Sequence, residues 1–159
     1  MKKSFLKEMA IMLVLVTITS VITSQLIAVP TDSMSPDINP GDMVLVEKTN
    51  LLDVFAELDV GNVKEGDVVL YTKPIKVLKG EEMVVENETV IHRVVAIKGP
   101  QGGKYLLTKG DNNPSPDSPR VNPKQITGRA IMWDGKPVTI PAVGHAVIFI
   151  KTLIEGGGE

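Results

Sequence analysis

Thr89-Val90-Ile91-His92-Arg93-Val94-Val95-Ala96-Ile97 reads as a β-strand, because six of its nine residues are β-branched and neither Gly nor Pro interrupts it. Similar short apolar runs flank it. Met43 to Glu47 follows the turn signal Asn39-Pro40-Gly41-Asp42, and Val68 to Thr72 follows Glu65-Gly66-Asp67. Val77 to Leu78, Met83 to Val85, Lys104 to Thr108, Ala130 to Trp133 and Pro137 to Ile140 continue the series, with Gly and Pro between them. This punctuation predicts a mainly β domain. The units Gly41-Asp42-Met43-Val44 and Gly66-Asp67-Val68-Val69 look alike, as two turns each leading into a strand would. Leu51 to Leu58 is the one short helix expected in the middle of the chain.

Upstream the pattern changes. Met9 to Val29 contains 21 residues without a charge, 15 of them Ala, Val, Ile, Leu or Met. As a helix this run would extend about 31 Å, close to the hydrocarbon thickness of a bilayer. Lys2, Lys3 and Lys7 precede it, and Asp32, Asp37 and Asp42 follow it. The positive-inside rule then leaves residues 1–8 in the cytoplasm and exports everything beyond the anchor at 9–29. A cleaved secretory signal is the competing reading, with Val21-Ile22-Thr23-Ser24 as its cleavage region. The run is long for that purpose, and no Ala-x-Ala follows it. The expected organisation is therefore a transmembrane anchor, an exported β domain over 30–137, and an apolar membrane-proximal segment and tail over 138–159. That last segment, interrupted by Pro141, His145 and Lys151, is expected to touch the membrane rather than cross it.

Composition narrows the chemistry. The chain has 159 residues, a formal charge of −2, no Cys and two His. Thiolate metal sites, disulfides and cysteine nucleophiles are excluded, and two histidines are too few for a His-built metal centre. No metal or cofactor is expected. A near-neutral chain with six aromatic residues lacks the basic face of a nucleic-acid binder. Serine remains as the nucleophile to look for.

Ser33 lies four residues beyond the apolar run, within roughly 15 Å of the hydrocarbon edge. Its substrates would be chains emerging from the membrane. A reactive serine needs a base, a group that orients the base, and an oxyanion donor. His92, on a rigid strand, is the candidate base, while His145 reads as structural. Asp111 and Asp117 share the loop Gly110-Asp111-Asn112-Asn113-Pro114-Ser115-Pro116-Asp117, and either can orient an imidazole. Asn87-Glu88-Thr89 is an N-glycosylation sequon.

Taken in order, Ser33-Met34-Ser35-Pro36 with Gly41-Asp42-Met43-Val44, then Gly66-Asp67-Val68-Val69, then Ile91-His92-Arg93-Val94, then Lys109-Gly110-Asp111-Asn112-Asn113 with Asp117, resemble the boxes of type I signal peptidases. Histidine at position 92 resembles the archaeal and endoplasmic-reticulum branch, since bacterial members carry lysine there. The resemblance implies a signal-peptidase-like β domain behind one transmembrane helix. It implies a membrane-bound serine endopeptidase that removes signal peptides after small residues, with Ser33 as nucleophile and His92 as general base. Asp117 would orient the base, and Asp111 would support the loop or the charge balance of the site. Thr31 and the Ser33 backbone N–H would form the oxyanion hole, and Met34 would either line the substrate surface or simply pack in the interior. Asp32 stands where the family usually has glycine. The implied partners are secretory preproteins, membrane lipid and the secretion translocon. The implied location is an archaeal cell membrane with an extracytoplasmic catalytic domain, ahead of the endoplasmic-reticulum membrane. Two other readings follow from the residues: a Ser-Lys protease using Lys98 or another lysine, and a non-catalytic anchored β domain that binds exported polypeptides.

Overall fold

A computed structural model describes residues 2–48, 60–80, 82–100 and 103–156. Helix α1 runs Lys2–Ser24, and its segment Phe5–Ser24 is long and apolar enough to cross a membrane, with none of it covered by the rest of the chain. Several of its hydroxyl residues donate back to the helix backbone. Thr17 donates to the Leu13 carbonyl and Thr19 to the Leu15 carbonyl, both at 2.9 Å, and Ser24 donates to the Val21 carbonyl at 2.7 Å. The Lys48 ammonium donates to the Ser24 carbonyl at the helix C-terminus, where the peptide dipoles favour a cation.

The apolar run extends past the helix, which ends at Ser24, whereas the anchor was expected to reach residue 29. Strand β1, Leu26–Ala28, already belongs to the domain and pairs antiparallel with β2, Met43–Lys48. Val29 is packed in the core with 1% of its surface exposed. Residues 26–29 therefore owe their apolar character to the sheet and core of the domain.

The remaining strands are β3 (Val68–Lys79), β4 (Glu82–Lys98), β5 (Tyr105–Lys109), β6 (Ile126–Ala130), β7 (Met132–Trp133), β8 (Lys136–Pro137) and β9 (Thr139–Ile140). An antiparallel sheet has the order β1-β2-β6-β3-β4-β5, with β9 also on β2, while β7 and β8 form a small separate hairpin. The fold is mainly β, as its turn-punctuated runs predict. The four runs expected between 68 and 97 merge into the single hairpin β3–β4, whose register holds from Val68↔Arg93 to Lys79↔Glu82. Lys73 pairs with Glu88 across it at 3.1 Å, so polar residues between the expected runs are cross-strand partners. Strand β6 is not among the expected runs, because Gly128 and Arg129 interrupt its apolar character. The helix expected over Leu51 to Leu58 lies outside the described residues.

The similar Gly-Asp units form the same turn twice. Gly41 and Gly66 have φ of 86° and 94°, values that an L side chain resists. The Asp42 N–H donates to the Asn39 carbonyl and the Asp67 N–H to the Lys64 carbonyl, at 3.0 and 3.2 Å. Each carboxylate then accepts the amide three residues earlier, Asn39 N–H for Asp42 and Lys64 N–H for Asp67, both at 2.9 Å.

Two apolar clusters fill the interior. One gathers Val29, Met34, Ile38, Val44, Val46 and Leu70, and the other Val69, Tyr71, Val94, Leu106, Val121 and Ile126. Along β3 consecutive residues alternate between the clusters, as strand pleating requires. Part of the expected C-terminal segment also belongs to the sheet, since β9 pairs with β2 through Met43↔Ile140. Helix α2, Gly144–Gly156, follows it and exposes Val147, Phe149, Ile150, Leu153 and Ile154.

Candidate active site

Three adjacent strands present polar groups on one face. His92 on β4 stands between Val90 and Val94, with Val90 opposite Tyr71 of β3 and Val94 opposite Thr108 of β5. Tyr71, His92 and Thr108 therefore share a face as diagonal neighbours. All three are buried, with 1%, 6% and 1% exposure. The Tyr71 and His92 rings meet edge to face, their centroids 6.5 Å apart.

The loop after β5 brings Asp117 over this face. Its N–H donates to the Thr108 carbonyl at 2.8 Å. One carboxylate oxygen, Oδ2, lies 2.6 Å from His92 Nδ1 and accepts from the Thr108 hydroxyl at 2.6 Å and from the Tyr71 hydroxyl at 3.0 Å. Burial works to raise this carboxyl, but the hydrogen bonds from His92, Thr108 and Tyr71 outweigh it and hold it below the ordinary aspartate value. The Tyr71 hydroxyl is pushed up by its own burial, with the Asp117 charge adding to the shift.

On the other side of the imidazole, His92 Nε2 is 3.2 Å from Ser33 Oγ. With the proton on Nδ1, facing the carboxylate, the Nε2 lone pair faces the serine hydroxyl. Thr31 Oγ1 is also 3.2 Å from Ser33 Oγ. Ser33 is half-buried in a loop held by its neighbours: the Ile38 N–H donates to the Met34 carbonyl at 3.0 Å, and both side chains are fully buried. Met34, for which both a substrate-surface role and simple packing were open, has no exposed area. It is an anchor for the loop that carries Ser33. Asp32 is not among the residues with positive φ, and its carbonyl accepts the Ser35 N–H at 3.0 Å, so this backbone accommodates aspartate where glycine was expected.

Asp111 does not reach His92. It forms a two-point pair with Arg93, from Nε at 2.9 Å and Nη2 at 2.7 Å. Arg93 also donates to Asp37 at 2.9 Å and to the Gly66 carbonyl at 3.0 Å. The hydrogen bonds to Asp111 raise the guanidinium pKa most, and burial opposes them. Arg93 follows His92 and points to the opposite face of β4, where it ties together the serine loop, the Gly66 turn and the Asp111 loop. Gly110 completes this junction: a Cβ there would stand 2.6 Å from the Ser33 carbonyl oxygen, which accepts the Asn112 N–H at 2.9 Å.

The sequence profile of the family described as signal peptidase, peptidase S26, matches residues 2–101, nearly two thirds of the chain. The chain belongs to the signal peptidase family. An uncharacterized protein of Methanocaldococcus jannaschii is 30% identical over 82% of this chain and 85% of its own. The signal peptidase complex catalytic subunit SEC11 of Chaetomium globosum is 30% identical over 86% of this chain and 75% of its own. Signal peptidase I W of Bacillus subtilis is 32% identical over 59% of this chain and 40% of its own.

The signal peptidase match takes in Ser33 and His92 but ends before β5. Thr108 therefore enters the site on geometry alone, whereas Asp111 and Asp117 were already candidates from the loop they share. Sequence reasoning missed Tyr71 and Thr108. A tyrosine inside a β-branched run needs a partner for its hydroxyl once buried, and that was the available signal. Thr108 gave none, since threonine is an ordinary strand residue. His145, read as structural, lies over Gly41, where any Cβ would collide with its ring.

Proposed function

We propose that this chain is a membrane-bound serine endopeptidase that removes signal peptides from exported preproteins, using Ser33 as nucleophile and His92 as general base. The observation that carries this reading is the contiguous line from Ser33 Oγ through His92 Nε2 and Nδ1 to Asp117 Oδ2, with gaps of 3.2 and 2.6 Å. His92 takes the Ser33 proton at Nε2 as Oγ attacks the scissile carbonyl. Asp117 stays ionised and stabilises the imidazolium. The Ser33 backbone N–H and the Thr31 hydroxyl receive the developing oxyanion. His92 then gives its proton to the leaving amine, and water releases the acyl group by the reverse sequence.

The nucleophile sits nine residues after Ser24, the last residue of α1. That proximity favours substrates whose cleavage site leaves the bilayer, laid out extended along a strand edge and carrying small residues before the cut. Lys2 and Lys3 ahead of the span and Lys7 in its first turn support a cytoplasmic N-terminus and an extracytoplasmic catalytic domain. The archaeal relative favours a cell membrane over the endoplasmic reticulum. Membrane lipid is a partner through α1, the apolar surface of α2 supports a second contact with the bilayer, and the translocon is the source of substrate.

The test is to incubate the detergent-solubilised chain with a preprotein and sequence the new N-terminus. A single cut after a small residue at the signal junction supports the reading. An unchanged preprotein would leave the chain as a binding domain.

A further inference from the structure

Asp117 comes from a loop with Pro114, Pro116 and Pro119 around it, where no ladder hydrogen bonds fix a side chain. An orienting carboxylate nevertheless has to be held within about 0.5 Å of its working position. The two strands flanking β4 supply what the loop lacks. Tyr71 reaches Asp117 Oδ2 from β3 and Thr108 reaches it from β5, while the Thr108 carbonyl holds the Asp117 N–H. We propose that Tyr71 and Thr108 are positioning residues, whose hydroxyls fix the Asp117 carboxylate against His92 and keep it acting as an acceptor of the Nδ1 proton. The inference rests on the Ser33–His92–Asp117 reading above and adds two residues to it.

The chemistry favours this role over simple burial of two polar side chains. A carboxylate oxygen offers about two lone-pair sites, and here Oδ2 faces three donors, two of them at 2.6 Å. Such crowding is favourable only around a full negative charge. Each hydroxyl also prevents rotation of the carboxylate about its Cβ–Cγ bond, which would carry Oδ2 away from Nδ1. Neither residue has to touch substrate, so both should act on turnover and not on substrate affinity.

The experiment measures kcat and KM for preprotein cleavage by the full, detergent-solubilised chain and by Tyr71→Phe, Thr108→Val, Thr108→Ser and Asp117→Asn. Tyr71→Phe keeps the ring in the core and removes only the hydroxyl. The expected result is a kcat loss of about 10-fold in Tyr71→Phe and in Thr108→Val, KM within about twofold, and recovery of most of the loss in Thr108→Ser. Should Thr108→Val not fold, Tyr71→Phe gives the same kcat-against-KM readout. Wild-type kcat in Tyr71→Phe and Thr108→Val beside an inactive Asp117→Asn overturns the positioning role and leaves the catalytic reading standing. A rise in KM alone also overturns it. Wild-type kcat in Asp117→Asn itself removes the catalytic reading and this inference together.

Discussion

His92 and Asp117 lie 25 residues apart in sequence and 2.6 Å apart in space, with the carboxylate on the imidazole nitrogen that faces away from Ser33. Amide at position 117 would present a donor to Nδ1 in one of its two orientations and favour the tautomer with the proton on the wrong nitrogen. Asp117→Asn is therefore expected to lower kcat on the order of 10⁴-fold with the fold intact. Circular dichroism beside the cleavage assay checks both halves of that statement.

The same carboxylate ties stability to pH. Its pKa in the folded protein is lowered, the donors having overcome burial. Its contribution is then complete above the ordinary aspartate value of about 3.9 and is lost as pH falls towards and through the lower folded value. The thermal midpoints of the native chain and Asp117→Asn should differ most at neutral pH and converge below about pH 4. A difference that persists unchanged into strong acid would show that the carboxylate is not held as described.

Arg93 carries a separate prediction. It bonds Asp111, Asp37 and the Gly66 carbonyl, so Arg93→Met should cost about 2 kcal/mol of stability or more. It should also lower cleavage by loosening the loop around Ser33. Arg93→Lys should recover little, because an ammonium cannot reproduce the two-point pair. Chemical denaturation of the three forms measures this directly.

Lys98 is exposed at the end of β4, six residues beyond His92, or about 20 Å along the strand. A Ser-Lys mechanism using this lysine would have to cross that distance. Lys98→Ala should cleave preprotein at the native rate, and inactivity of that variant with a normal fold would revive the lysine reading.

Met34 has no exposed surface. Met34→Ala should lower stability by about 2–5 kcal/mol, a loss visible in the denaturation midpoint. Were Met34 a substrate contact, the change would appear in KM at constant stability.

Much of this was legible in the sequence because it depends on local rules. The β-branched run around His92, the Gly-Asp turns and the 21-residue apolar run each carry their own signature. What failed depended on partners distant in sequence. Leu26–Ala28 reads as membrane because a strand paired with β2 and a helix in lipid use the same residues. Met34 was open between substrate contact and packing because its neighbour is the nucleophile, and only the position of Ile38 and Val44 with it in the core selects packing. The choice between Asp111 and Asp117 was open to spacing alone. It turns on Arg93 and His92 pointing to opposite faces of β4, each with its own aspartate.

The most direct test compares preprotein cleavage by the solubilised native chain, Ser33→Ala and His92→Ala, with folding verified for each. The Ser33–His92 pair predicts one cut at the signal junction by the native chain. It also predicts that each variant loses at least about 10⁴-fold in rate. Cleavage at the native rate by folded Ser33→Ala would contradict the account at its centre.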